Sequence, residues 1–293
     1  MKRFTVFFAT ALSVVILAGC GGSSEQQDVP STDSAAGATV EVAKPLSLEF
    51  SKAFDVAMND QLVEIEGYMQ LPSMMYTSGK SAQVDFTARP YQRYGSHITA
   101  NIATGSCNNC MKPLGEKYDI NDLHVKDKDG TEVGPNQRVR ITGRLNVYPS
   151  GLSENGHTAS LSPTKIEKID EVELDYSTMN VVTITKENLQ DTSLKYALSY
   201  VESKVEVPSI LFMENDVTLN AKVAGQRLPV NFLFGKGPNQ IEPIPSNYSK
   251  DDFKIHDYKG ELVNLNKTLK LWGNRSTPDD KNPGIFYVER IAQ

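Results

Sequence analysis

The sequence predicts an all-β chain built as two related units in tandem, and three observations carry that expectation. Apolar residues recur with a period of two in short runs, as half-buried strands require. Those runs are separated by Gly, Pro, Asn and Asp, the residues that turn a chain. The chain also repeats itself: residues 101–143 laid over 231–273 need no gap and agree at eleven positions, among them Asn101/Asn231, Asn109/Asn239, Asp127/Asp257, Gly130/Gly260 and Gly143/Gly273. Apolar character persists at Ile102/Phe232, Val125/Ile255 and Ile141/Leu271. Two domains follow, 42–170 and 180–293, with a linker over 171–179, each of ordinary domain size.

The first segment, 1–19, reads as an export signal. Lys2 and Arg3 precede an apolar run from Phe4 to Ala18, which is too short for a bilayer-spanning helix. The run closes on Leu17, Ala18, Gly19 and Cys20, which resembles the lipobox of bacterial lipoproteins. That resemblance implies cleavage before Cys20, lipid attachment to it, and a home in the bacterial cell envelope facing the periplasm or the exterior. Residues 20–41, dominated by Gly, Ser, Ala and polar groups, hold too little apolar surface to fold and read as a disordered tether. No second long apolar run follows, so the rest is expected to be soluble and outside the cytoplasmic membrane, with the membrane reached only through the lipid.

Within the first unit, alternation marks strands at Leu62–Gly67, at 84–88, 97–102 and 138–145, and finally over Thr158–Ile166. The second unit ends on a strand over Ile285–Ile291. Before each first strand the pattern is ambiguous: Leu46–Met58 and Lys186–Tyr200 also admit a helix, with Ser193 a possible cap. Upstream of the ungapped repeat, FDVAMNDQLVEIEG at 54–67 parallels YALSYVESKVEVPS at 196–209, which sets Ser209 at the place of Gly67.

Short strands, a glycine at the end of the first, and a late VRITGRL strand at 139–145 resemble the oligonucleotide/oligosaccharide-binding (OB) fold. The resemblance implies two tandem five-stranded OB-like barrels, each preceded by a short helix or irregular segment. A helix is common between the third and fourth strands of that fold, and here the hairpin DLHVKDKDGTEV stands in its place. A Greek-key sandwich would give the same alternation.

Chemistry is sparse. DKDG at 127–130 could suggest a calcium loop, but its repeat partner reads DYKG and keeps only Asp257 and Gly260, the two residues a turn needs. Asp122 and Asp252 read as local caps. Glu64 and Glu66 share one strand face and read as solvated surface rather than an acid/base couple. Cys107 and Cys110 are the two cysteines beyond Cys20. Their spacing allows a structural disulfide, an inert reduced pair, half of a metal site, or thiol exchange, of which the disulfide is preferred. No HExxH frame and no G-x-S-x-G elbow occurs, so no catalytic residue, metal or cofactor is assigned.

Binding surfaces carry more weight than active sites. The resemblance to OB barrels places the first unit's ligand surface at Met74, Met75 and Tyr76 and at Arg89, Tyr91, Arg93 and Tyr94, where cations interleave with rings. Trp272 is out of phase with Leu269 and Leu271 and should point outward, covered by the last strand, the neighbouring unit, or a ligand. After the leader, 28 basic side chains face 36 acidic ones, the two leader cations having been removed from 30. That surplus argues against a partner bound through its phosphates. The expectation is a non-catalytic binding or scaffold protein for an envelope protein, peptide or glycan. The alternatives are single-stranded nucleic-acid binding through the barrels and, third, a thiol-disulfide enzyme using CNNC; the sequence leaves the oligomeric state open.

Overall fold

The chain is all-β, and two separate apolar cores organise it. The computed structural model describes residues 41–48, 54–72, 79–115, 118–150, 156–211, 213, 215–279 and 282–293. The leader, Cys20 and the loop carrying Met74, Met75 and Tyr76 lie outside the described residues. The first core lies inside five strands: β1 (Leu62–Gln70), β2 (Ser81–Thr87), β3 (His97–Ala103), β4 (Arg138–Pro149) and β5 (His157–Lys168). They run in the order β1-β2-β3-β5-β4, and β1 also pairs with β4, which closes the barrel. Alternation is the reason: Val63 and Ile65, Val84 and Phe86, Ile98 and Ile102, and Val139 and Ile141 all point inward and are buried. Each such side chain contributes about 1.5–3 kcal/mol of burial.

The second set repeats this order with β6 (Leu198–Ser203), β7 (Val205–Glu206), β8 (Asp216–Val223), β9 (Gln226–Leu233), β10 (Leu269–Arg275) and β11 (Phe286–Ala292). Here β6 pairs with β10 while β7 pairs with β8, so one stretch of chain changes partner at Lys204. In the first barrel β1 makes the same change near Gly67 and Tyr68. A Cβ on Gly67 would collide with the carbonyl oxygen of Thr87, which is why the crossing takes glycine.

Strand register corrects the upstream alignment. Ile65 faces Ile141 and Val201 faces Leu271, so Ser203, not Ser209, stands at the place of Gly67. The identity-based overlay slid by six residues because the segment before each first strand differs in content. Ser203 turns its hydroxyl back into the crossing, donating to the Lys222 carbonyl at 3.1 Å and accepting from the Lys222 N–H at 2.9 Å.

The repeated Gly143 and Gly273 mark the same β-bulge. Register shifts there, leaving Thr164 unopposed in β5 and Glu289 unopposed in β11. At both glycines an added Cβ would meet the backbone of the opposite strand. A bulge re-aims the extra side chain.

The repeated Asp and Asn residues position the hairpin that replaces the usual helix. The Asp127 carboxylate accepts from the Asp129 and Thr131 N–H groups, and Asp257 accepts from those of Lys259 and Glu261, all at 2.8–2.9 Å. Gly130 and Gly260 take φ of +82° and +81°. Asn109 and Asn239 then tie this region to the last strands, each accepting a 2.8 Å bond from the Ile166 or Ile291 N–H. Asp122 and Asp252 close capping boxes on short 3-10 turns at Ile120–Asp122 and Lys250–Asp252. In the described part of the earlier ambiguous stretches the named helical elements are the 3-10 turns Val56–Met58 and Thr192–Leu194; the second is capped by Asp191 rather than Ser193, and its stretch ends in β6 from Leu198. Asp191 reaches the free N–H of Ser193 at 2.9 Å, which Ser193 cannot do for itself.

Gly273→Ala is expected to lower stability by about 2–3 kcal/mol through overpacking at the bulge. Gly134, which has open space around its Cβ position and no positive φ, should accept alanine within about 0.5 kcal/mol. Urea denaturation of the two variants checks the contrast.

Candidate functional site

The loop from Arg89 to Ser96 joins β2 to β3 and carries Arg89, Tyr91, Arg93 and Tyr94 of the expected ligand surface. In the structure it is an arm docked on the second barrel. Gln70 and Thr87 donate side-chain hydrogen bonds to the Arg89 carbonyl, and the Tyr91 N–H donates to Asn136 Oδ1 at 2.7 Å, with Tyr91 at φ +61°. Gln92 Nε2 bonds the carbonyls of Tyr94 and Ser96 and sets the return. So held, Arg89 reaches Glu289 at 2.8 Å and Asn274 at 3.3 Å. Arg93 donates to Asp216 at 2.9 Å and Asn231 at 2.7 Å. Tyr94 stacks on Tyr196, with centroids 5.4 Å apart, and leans on Tyr287 at 4.6 Å.

Glu289 is the bulge residue of β11, and its exposure is 0%. Burial pushes its carboxyl above the usual range, and Arg89 opposes that shift without cancelling it. Sequence reasoning missed Glu289. Its signal was the adjacent Glu289-Arg290 pair in FYVERIA, where polar residues break an otherwise alternating strand.

Beside this contact the two barrels and the 171–176 segment line an open crevice of about 590 Å³. Tyr68 and Tyr91 line it from the first barrel, Tyr176 from the connecting segment, and Tyr258 and Arg290 from the second barrel. The Arg290 guanidinium lies 3.7 Å from the Tyr258 ring centroid and 5.2 Å from that of Tyr176. It also reaches Glu173 at 3.4 Å and the Leu174 carbonyl at 3.5 Å. Burial raises the phenol pKa values of Tyr68 and Tyr176 and lifts Tyr91 to about 12, with the Glu171 carboxylate adding to the shift at Tyr68 and Tyr91. Trp272 does point out of the barrel and is half-buried between Tyr200, at 5.0 Å, and Tyr176, at 6.0 Å. The 171–179 segment therefore supplies a buried aromatic cover.

The outer face of β2 and β3 differs between the copies. In the first barrel Gln83 faces Asn101 and Asp85 faces Thr99, all half-exposed. Burial raises the Asp85 pKa, and His97 pulls it back. In the second barrel Asn231, the repeat partner of Asn101, is occupied by Arg93. The arm of the first barrel thus covers in the second a place that stays half-exposed in the first.

Cys107 and Cys110 form a disulfide with Cα atoms 5.4 Å apart, closing the turn that contains Asn109. In the second copy Gln240 performs the same closure, its Oε1 accepting from the Gly237 N–H at 2.9 Å. Glu66 is bound by Arg140 and Arg138, and the Arg140 hydrogen bond holds its carboxyl below the usual range. No group of three or more His, Cys, Asp or Glu side chains suited to a metal occurs among the described residues.

No protein-family model matches the chain, and no curated protein matches it. Among solved structures it is similar to a protein described as an aspartyl-tRNA synthetase from Leishmania major Friedlin, at 14% identity and a TM-score of 0.24, over 58% of this chain and 26% of the other. A second similar structure is p202 HIN1 in complex with 12-mer dsDNA, at 11% identity and a TM-score of 0.26, over 82% of this chain and 97% of the other. The chain spans about a quarter of the synthetase, and likenesses at these scores carry no argument about what it does.

Glu289→Ala leaves Arg89 with little access to water and without its carboxylate, and should cost about 3–5 kcal/mol; Arg89→Met with Glu289→Leu should cost less than either single change. The folded-state pKa of Glu289 lies above its ordinary 4.5, so the folded protein holds the proton more tightly than the unfolded chain. Its contribution is then fully present below pH 4.5 and is lost as pH rises through the folded value. Urea midpoints measured from pH 4 upward should show that fall in the wild type and a flatter profile in Glu289→Gln.

Proposed function

We propose that this chain is a lipid-anchored cell-envelope protein that acts without catalysis, binding a glycan, peptide or protein partner. The leader and the lipobox-like Leu17–Cys20 run support the location. The observation that carries the binding reading is the unequal use of one face in two copies of the same barrel. Asn231 is filled by Arg93, which joins the barrels, whereas Asn101, Gln83 and Thr99 stay half-exposed on the first. Amide and hydroxyl side chains on a rigid sheet suit a ligand read by hydrogen bonds. Docking of the arm supports a scaffold role as well, because it fixes both barrels in one frame.

Single-stranded nucleic acid is a weaker fit. The open face carries Asp85 and no arginine, and the acidic surplus works against phosphate contact.

Thermal unfolding of the full-length chain in detergent, with neutral oligosaccharides, short peptides and single-stranded oligonucleotides in turn, tests the reading. A ligand at 100 times its Kd raises native-state stability by about 2.7 kcal/mol. The expected outcome is a dose-dependent rise in Tm with a glycan or peptide and none with oligonucleotides. A rise confined to oligonucleotides would overturn it. Replacement of Cys20 by alanine is expected to abolish incorporation of labelled fatty acid in cells.

A further inference from the structure

Within the crevice, two phenols stand out. Tyr68 is 3% exposed and Tyr176 is 5% exposed, and both line the cavity. Neither hydroxyl has a hydrogen-bond partner among the described residues. Among the described residues, the buried side-chain atoms without partner or access are Gln92 Oε1, Thr142 Oγ1 and Arg275 Nε, and neither phenol oxygen is one of them. A buried polar group without a partner is costly, and the crevice is the open space that both residues line.

We propose that the crevice between the two barrels is a carbohydrate site, taking one or two rings of an uncharged oligosaccharide against the Tyr68 and Tyr176 hydroxyls. This rests on the binding-protein reading above and adds to the half-exposed face of the first barrel a second surface with a stated ligand class. The phenol oxygen both donates and accepts, as a sugar hydroxyl does, so each can serve either partner role. Tyrosine rings give the flat apolar surface that a pyranose face covers. Charge in the crevice is balanced, with Arg290 and Lys259 beside Glu171 and Glu173. Arg290 is already shared between Glu173, the Leu174 carbonyl and two rings, so an anionic ligand would find its cation engaged. The volume of about 590 Å³ falls within the range of small-ligand sites, about 300–1,000 Å³.

Trp272 is the sole tryptophan of the chain and lies against Tyr176, so its emission reports on occupancy. Full-length protein in detergent would be titrated with chitotriose and with maltotriose, and with triglycine as the non-sugar probe. The expected result is a saturable change with at least one sugar, weakened about tenfold or more in Tyr68→Phe/Tyr176→Phe, which keeps both rings, and unchanged in Val56→Ala, an exposed residue that lines neither the crevice nor the open face. Val172, 51% exposed at the rim, offers a second variant whose substitution does not touch the core. Val172→Arg should obstruct entry and weaken the same sugar. Equal affinity in the double phenylalanine and Val172→Arg variants, with loss in Gln83→Ala/Asn101→Ala, would overturn the crevice and leave the binding-protein reading standing. A response to triglycine alone would overturn the carbohydrate class while keeping a peptide-binding protein, and no response to either sugar would overturn the inference outright.

Discussion

A buried carboxylate facing a guanidinium from 200 residues away is the constraint on which the two-barrel body depends. Glu289 has no access to water, and its burial cost exceeds what Arg89 returns. Such a pair is a poor source of stability compared with packed apolar side chains, but it tolerates few geometries. The arm as placed satisfies Glu289, Asn274, Asp216 and Asn231 together. The aromatic contacts of Tyr94 then fill the space between these polar anchors. The crevice exists because this docking holds Tyr68 and Tyr91 opposite Tyr258 and Arg290.

Both barrels solve the same geometric problems with different atoms. The crossing of the first strand uses a missing side chain at Gly67 and a hydroxyl that satisfies the opposite backbone at Ser203. The turn before the inserted hairpin is closed by a covalent bond in one copy and by the Gln240 amide in the other. The bulge exposes Thr164 in the first copy, where it bonds the Thr142 carbonyl, and aims Glu289 at a partner in the second. Divergence is concentrated where a scaffold position can be reached by more than one chemistry.

This explains what could be read from the sequence. Residues retained in both copies were those with one solution: Asp127 and Asp257 in the turn, Asn109 and Asn239 with their left-handed backbone, and Gly143 and Gly273 against a crossing strand. Alternation likewise set the strands, and the last one was legible almost to its ends. The identity-based overlay failed upstream because Gly67 and Ser203 do the same task without resembling each other. The docked arm was visible as a cluster of Arg and Tyr but not as an interface, since interleaved cations and rings suit a protein face as well as a ligand. Glu289 could not be identified as its partner, because pairing across 200 residues leaves no local trace.

The position of Glu289 also sets an order of events during folding. It lies in β11, the last strand of the second barrel, whereas its partner lies in a loop of the first. Contacts between residues so far apart in the chain form slowly, after local structure has been made. Until β11 is in place the arm of two cations and two tyrosines lacks Glu289 and Tyr287, the carboxylate and the ring that Arg89 and Tyr94 meet there. That interval, before the halves meet, is when the arm is open to a wrong partner, including the same surface on another chain that has already finished.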